Sequence, residues 1–206
     1  FINDQLTIQA DLQVVPMKGW QRSMYYPETG LPWVYPSPNL PTFLSALVYP
    51  GQVIWEGTNI SEGRGTTLPF EMLGAPFIVH NQVLQALEPD SIQGCFLRPV
   101  CFEPTSNKWA GEVCIGFQLH VTDISAYKPY RTSLALLKAI VDEYPQFALK
   151  KPPYEYEFEQ SPLDLILGDK QVFQQIKQGA KISELEKMWQ EPLKEFCDLR
   201  KKYFLY

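Results

Sequence analysis

Val113-Cys-Ile-Gly-Phe-Gln-Leu-His-Val-Thr122 is the stretch that decides the fold class. Val113, Ile115, Phe117, Leu119 and Val121 alternate with Cys114, Gly116, Gln118, His120 and Thr122. A period of two belongs to a strand whose successive side chains point to opposite faces. One face here is apolar and the other mixed or polar. Upstream, residues 92–102 predict a second strand, interrupted at Pro99, and residues 105–111 join the two as a loop. Residues 80–87 predict a helix with Val83, Leu84 and Leu87 on one side.

Downstream the pattern becomes helical. Leu134, Leu137, Ile140, Val141 and Tyr144 fall at helical spacing over residues 131–143, and Pro145 ends the run. Residues 150–160 form a charged, proline-containing connector. Residues 163–167 and 170–177 read as short helices, with Gly168 and Gly179 as stops. Ser183 and Glu186 suggest a capping box for a last helix, which Pro192 should kink or restart. Nearer the start, residues 11–17 predict a strand limited by Pro16, and 18–39 a proline-rich loop bearing Trp20, Tyr25, Tyr26, Trp33 and Tyr35. Those aromatics either plug the loop to the core or line a site. Residues 41–48 predict a helix stopped by Pro50-Gly51, 53–56 a brief strand, 57–67 a polar glycine-rich loop, and 68–73 a helical turn closed by Gly74.

The sum is an α/β (α+β) chain: a mixed β-sheet flanked by helices, with a helical last third. Residues 1–206 are expected to form one domain, mixed over 1–130 and mostly helical over 131–206. A hydrophobic fraction of 45% over 206 residues suffices for a sizeable core. No apolar run approaches the ~20 residues of a membrane span. The net charge of −5 lacks any basic concentration, which argues against nucleic acid as a partner. Cys95, Cys101, Cys114 and Cys197 include no CxxC pair, so structural zinc is not expected. Cys101 and Cys114 read as small core residues, and a disulfide stays open for an exported protein. The chain opens on Phe1 rather than Met and runs quickly into a strand-like stretch, so it reads as cut from a longer one.

Chemistry concentrates in Glu56-Gly-Thr-Asn-Ile-Ser-Glu-Gly-Arg-Gly-Thr-Thr67. On the predicted fold this loop follows a strand, a usual position for α/β sites. Gly57, Gly63 and Gly65 allow close approach to a ligand, and Arg64 with the amides near Thr66 and Thr67 suits an anion. The alternative is that Glu62 and Arg64 form an ion pair bracing a tight turn. No Gly-Lys-Ser/Thr and no GxGxxG occurs, so a carboxylate or a polyhydroxylated sugar fits at least as well as a phosphate. Glu56 and Glu62 are the carboxylates best placed for acid/base work. His120, beside Gln118 and Thr122, is either a satisfied core histidine or a proton carrier. His80 is expected on a helix surface. Two histidines without metal-ligand spacing point to no metal, and no Gly-x-Ser-x-Gly elbow is present. Asn39, fixed between Pro38 and Pro41, either reads hydroxyl or acetamido groups or simply sits in the turn before a helix.

Pro-Ser-Pro-Asn-Leu-Pro-Thr at 36–42, Tyr-Pro-Gly at 49–51 and the run Glu-Gly-Thr-Asn-Ile-Ser-Glu-Gly-Arg-Gly-Thr-Thr-Leu-Pro-Phe-Glu at 56–71 resemble one bacterial family, formerly a domain of unknown function, of exo-β-N-acetylmuramidases. Gln118-Leu-His-Val-Thr-Asp123, Arg131-Thr132 and Tyr203-Phe-Leu-Tyr206 extend the resemblance along the chain. It implies an enzyme that releases N-acetylmuramic acid from non-reducing ends of peptidoglycan fragments. It also implies an auxiliary C-terminal domain forming one wall of the cleft. A Rossmann-like N-terminal half, absent from this sequence, would bear the catalytic acid on a Glu-His-Gly segment. Within this chain the residues themselves offer Glu56, Glu62 and His120 as candidates for catalytic roles, and Asn39, Thr58, Asn59, Arg64, Thr66, Thr67 and Gln118 for substrate contacts. No cofactor is implied. The implied partners are peptidoglycan-derived sugars and the N-terminal half, and the implied setting is secreted or periplasmic. A non-catalytic carbohydrate-binding module and a hydrolase of an ester or amide remain alternatives.

Overall fold

The computed structural model describes residues 1–206. The chain divides into two compact units, Val34–Leu185 and a smaller one made of Phe1–Trp33 with Glu186–Tyr206.

The larger unit begins with α2 (Phe43–Gln52), the second helix after a short α1 (Ile2–Gln5) in the smaller unit. Thr42 caps α2: its hydroxyl oxygen accepts from the Ser45 N–H at 2.9 Å, and Ser45 Oγ accepts from the Thr42 N–H at 3.1 Å. The helix runs through Pro50 instead of stopping there. Its last turn is held by a buried chain of bonds, Trp55 Nε1 to Gln52 Oε1 at 2.8 Å and Gln52 Nε2 to Ser133 Oγ at 2.7 Å. The strand expected at 53–56 is a 3-10 turn, Val53–Gly57. The Thr58 N–H closes the turn on the Trp55 carbonyl at 3.0 Å, and Ile54 and Trp55 are both fully buried. Gly57 ends the same turn, and a Cβ there would lie 2.6 Å from the Leu163 Cα, so the segment carrying Leu163 can approach only a glycine.

The turn expected at 68–73 gives way to a strand, β1 (Met72–Ala75). Ser61 and Gly74 exchange two main-chain hydrogen bonds of 2.8 and 3.0 Å, which seats the glycine-rich loop against that strand. After α3 (His80–Ala86) come β2 (Cys95–Phe102) and β3 (Cys114–Val121). The sheet is wholly antiparallel, not mixed, with β3 between β1 and β2. The expected break at Pro99 does not occur. β2 is an edge strand, where proline is tolerated.

Helices α4 (Pro129–Glu143), α5 (Pro162–Leu167) and α6 (Lys170–Lys177) follow, and α7 (Ile182–Arg200) begins in this unit. Leu134, Leu136, Leu137 and Ile140 are fully buried, so α4 is the central helix of the core. The predicted Ser183–Glu186 box at the start of α7 is replaced by Glu184, whose carboxylate accepts from the Lys181 N–H at 2.9 Å. Pro192 lies inside α7 without dividing it. Cys114 is buried, but Cys101 is exposed, and all four cysteines are free thiols. His80 is half-buried rather than on the surface, with Nε2 3.1 Å from the Val100 carbonyl and its ring edge-on to Phe117.

The smaller unit contains no buried residue. Residues 11–17 form no strand; among these 206 residues they have no ladder partner. Phe1 stacks edge-on with Phe196 and Tyr203, and Trp20 with Tyr206. Tyr26 packs on Trp33, and an apolar hollow of about 560 Å³ opens between Met17, Trp20, Met24, Tyr26 and Leu31. No helix of the chain is long and apolar enough to cross a membrane.

Candidate active site

The 56–67 loop leaves the 3-10 turn and folds back on itself before β1. Gly65 makes this path feasible. Its φ is +80°, and a Cβ would lie 2.6 Å from the Ser106 backbone nitrogen, so a side chain is excluded on both counts. Thr105 binds the same glycine, its N–H and its hydroxyl both donating to the Gly65 carbonyl at 2.9 Å. The loop around residue 107 is thereby stapled to the glycine-rich loop.

These two loops and residues 150–155 enclose a polar cleft of about 280 Å³ lined by Glu56, Glu62, Arg64, Asn107, Lys108, Lys150, Pro153, Tyr154 and Glu155. That volume falls just below the ~300–1,000 Å³ range of small-molecule sites. Four charges form a continuous network. Arg64 donates from Nη2 to Glu56 Oε1 at 2.5 Å, and its Nε forms an ion pair with Glu62 Oε1 at 3.1 Å. Lys108 donates from Nζ to Glu62 Oε2 at 2.7 Å, to the Trp55 carbonyl at 2.6 Å and to the Ile60 carbonyl at 2.9 Å. Those three acceptors use all three ammonium protons. The second oxygen of Glu56 accepts from the Tyr154 hydroxyl at 2.7 Å.

The electrostatics follow from burial and these partners. Burial pulls the Lys108 ammonium below its ordinary pKa, against the opposing charge and hydrogen bond of Glu62, and Lys150 adds a small repulsion. Burial also disfavours the charge on Arg64, but the hydrogen bond and charge of Glu56, followed by the charge of Glu62, reverse the effect and raise it. Burial, then the hydrogen bond to Glu56, hold the Tyr154 phenol far above its ordinary range, so it is a neutral donor. Tyr49 is raised too, by burial and then by the charge of Glu56.

Of the residues singled out in the sequence, Glu56, Glu62 and Arg64 meet in this cleft. Arg64 takes the form of the bracing alternative, extended to a second carboxylate. Thr58 and Asn59 are structural in their contacts. The Thr58 hydroxyl donates to the Trp55 carbonyl and accepts from the Ile60 N–H, both at 3.0 Å. The Asn59 amide clamps the 146–148 backbone, donating to the Gln146 carbonyl at 2.9 Å and accepting from the Ala148 N–H at 3.0 Å. Thr66 turns inward to the Gly63 carbonyl at 2.6 Å, and Thr67 is exposed. No helix starts at 66–67, so the expected anion-binding helix end does not exist. Gln118 and His120 lie on the sheet, not in the cleft lining. Arg98 donates to both, reaching His120 Nε2 at 3.1 Å and Gln118 Oε1. The Asn39 N–H lies 3.4 Å from Ser37 Oγ in the turn before α2, also away from the lining.

Sequence reasoning missed Lys108, Lys150 and Tyr154, which stand in stretches read only as connectors. The pairing of Trp109 offered the available signal: its Nε1 donates to the Asn59 carbonyl at 2.6 Å, so an aromatic in a polar loop marks a docked loop. No group of three or more histidine, cysteine, aspartate or glutamate side chains is placed to hold a metal ion.

The family model for the C-terminal part of the exo-beta-N-acetylmuramidase NamZ matches residues 47–206, and the model for its N-terminal part matches residues 1–44. The chain belongs to that family. It is 40% identical over 205 residues to the peptidoglycan beta-N-acetylmuramidase NamZ of Bacillus subtilis (strain 168), which covers 99% of this chain and 48% of the relative. A crystal structure of a DUF1343 family protein from Bacteroides fragilis NCTC 9343 superposes with a TM-score of 0.86 at 27% identity, over 100% of this chain and 54% of that one. A second DUF1343 protein from the same strain superposes with a TM-score of 0.56 at 24% identity, over 83% of this chain and 43% of its own, and supports the fold alone. The chain thus spans about half the length of the relative and of the solved structures that it matches. The boundary between the two models, at residues 44–47, lies within the first half of α2.

Proposed function

We propose that this chain, which joins a piece of the N-terminal part over residues 1–44 to the C-terminal part, belongs to a peptidoglycan glycoside hydrolase that releases N-acetylmuramic acid from non-reducing ends, and that it forms one wall of the substrate cleft. The observation that carries the reading is the Arg64–Glu56–Tyr154 arrangement in an open polar cleft of a chain from this family. Hydrolysis of a glycosidic bond needs a proton donor for the leaving oxygen and a second carboxylate as base or nucleophile. Both oxygens of Glu56 accept hydrogen bonds, whereas Glu62 accepts one from Lys108 at Oε2 and pairs with the Arg64 guanidinium at Oε1. Neither carboxylate is set to donate. Glu56, the more accessible of the two, suits the base or charge-stabilising role, while Glu62 holds the wall together. The acid then comes from the N-terminal half. The smaller unit supports this division: Ile2, Leu6, Leu12, Val15 and Leu193 are exposed on a unit with no buried core, a surface that suits packing by the rest of that half. Export to the cell envelope follows from the substrate as part of the same proposal.

The test is turnover of a β-linked N-acetylmuramyl disaccharide by the full-length protein and its Glu56→Gln variant. Loss of a base should lower kcat by about 10²-fold or more, with unfolding temperature nearly unchanged. Activity within about threefold of the parent would remove Glu56 from the chemistry and favour the second reading, a carbohydrate-binding wall without catalytic groups. The internal balance of the four-charge network is the observation on that side.

A further inference from the structure

The cleft contains three cations, and two of them are spent. Arg64 spans two carboxylates, and Lys108 satisfies three acceptors. Lys150 makes no ion pair. Its side chain is exposed at the cleft, with Nζ 5.6 Å from the centroid of the Tyr154 ring. Its backbone is fixed all the same. The Lys150 N–H donates to the Gly57 carbonyl at 2.9 Å, the preceding Leu149 bridges to Thr58, and Asn59 clamps 146–148. An unpaired ammonium is thus carried by the same rigid loop system that carries Glu56. It also stands near enough to Lys108 to disfavour that charge, a repulsion that a bound anion would relieve. Glu155, also in the lining, lies beyond ion-pair distance of Lys150.

A muramyl sugar differs from a glucosamine by a lactyl ether ending in a carboxylate. We propose that Lys150 recognises this carboxylate and so sets the preference for muramic acid, a role closed to Arg64 because its guanidinium already joins Glu56 and Glu62. The assignment rests on reading the cleft as a glycosidase wall. An exposed ammonium over an aromatic ring contributes as a point charge, so its effect is graded by salt and retained by arginine.

The experiment measures binding of N-acetylmuramic acid and of its carboxyl methyl ester to the full-length protein. It uses wild type, Lys150→Ala and Lys150→Arg, at low and high salt. The wild type should favour the free acid by about tenfold, in line with one charge-assisted contact. Lys150→Ala should bind both ligands alike, and Lys150→Arg should keep the preference. A Lys150→Ala protein that still discriminates acid from ester, or a wild type that never does, overturns the assignment. Turnover of the muramyl disaccharide by the same wild-type preparation tests the glycosidase reading separately. Turnover with discrimination intact in Lys150→Ala would sink the lysine alone. Discrimination lost in Lys150→Ala without any wild-type turnover would support the lysine and sink the glycosidase.

Discussion

Replacing Lys108 by methionine removes the ammonium that joins the 3-10 turn to the glycine-rich loop while keeping most of its stem. Glu62, only 2% exposed, then retains Arg64 Nε at 3.1 Å as its one charged partner. The carbonyls of Trp55 and Ile60 lose a donor as well. Removing one member of a buried pair costs about 3–5 kcal/mol, because the remaining charge is left desolvated. Each orphaned carbonyl adds about 1 kcal/mol unless cleft water replaces the ammonium. With cleft water taking over both carbonyls, about 3–5 kcal/mol corresponds to a fall in Tm of about 6–20 °C for a chain of this size. Urea unfolding followed by tryptophan fluorescence reads it directly, since Trp55 is at the junction. Lys108→Met combined with Glu62→Leu removes both buried charges and should recover most of the loss, as apolar replacement of a buried pair commonly does. A Lys108→Met protein within about 1 kcal/mol of wild type would refute the view that this lysine is the internal brace of the cleft.

Three further outcomes follow from the same contacts. Asn59→Ala frees the Gln146 carbonyl and Ala148 N–H, so it should cost about 1–3 kcal/mol and speed amide hydrogen exchange at 146–150. Gly65→Ala meets both a left-handed φ and the Ser106 backbone, and should destabilise by more than 1 kcal/mol, measured by thermal unfolding. The Tyr130 phenol, bonded to the Leu167 carbonyl at 3.1 Å, is pushed up to about 12 by burial and then by the charge of Asp169. The folded state keeps this proton when the unfolded chain releases it near pH 10. Its contribution is therefore intact below pH 10 and lost as pH rises through about 12. In a circular dichroism titration from pH 9 to 12, Tyr130→Phe should lose less stability across that range than wild type.

The strand at 113–122 and the helices over the last third were legible because their periodicity repeats over many residues and is reinforced by burial. The short segments failed for the same reason in reverse. Four residues at 53–56 carry no period, so nothing local separates a turn from a strand there. The stretch 11–17 has strand composition, but pairing needs a neighbour that composition does not supply. At the site, the glycines and charges of 56–67 marked the right loop. The arginine's partners are local, Glu56 and Glu62 of the same loop. The further partners of those carboxylates lay beyond any local rule, since Lys108 reaches Glu62 and Tyr154 reaches Glu56 from positions 46 and 98 residues away.

A structure of the full-length protein with N-acetylmuramic acid bound tests the account most directly. The account predicts sugar density against the Glu56–Tyr154 wall, with its carboxylate reaching the Lys150 ammonium and the Arg64 network undisturbed. Sugar bound away from this wall, with solvent filling the space beside Glu56, would contradict it.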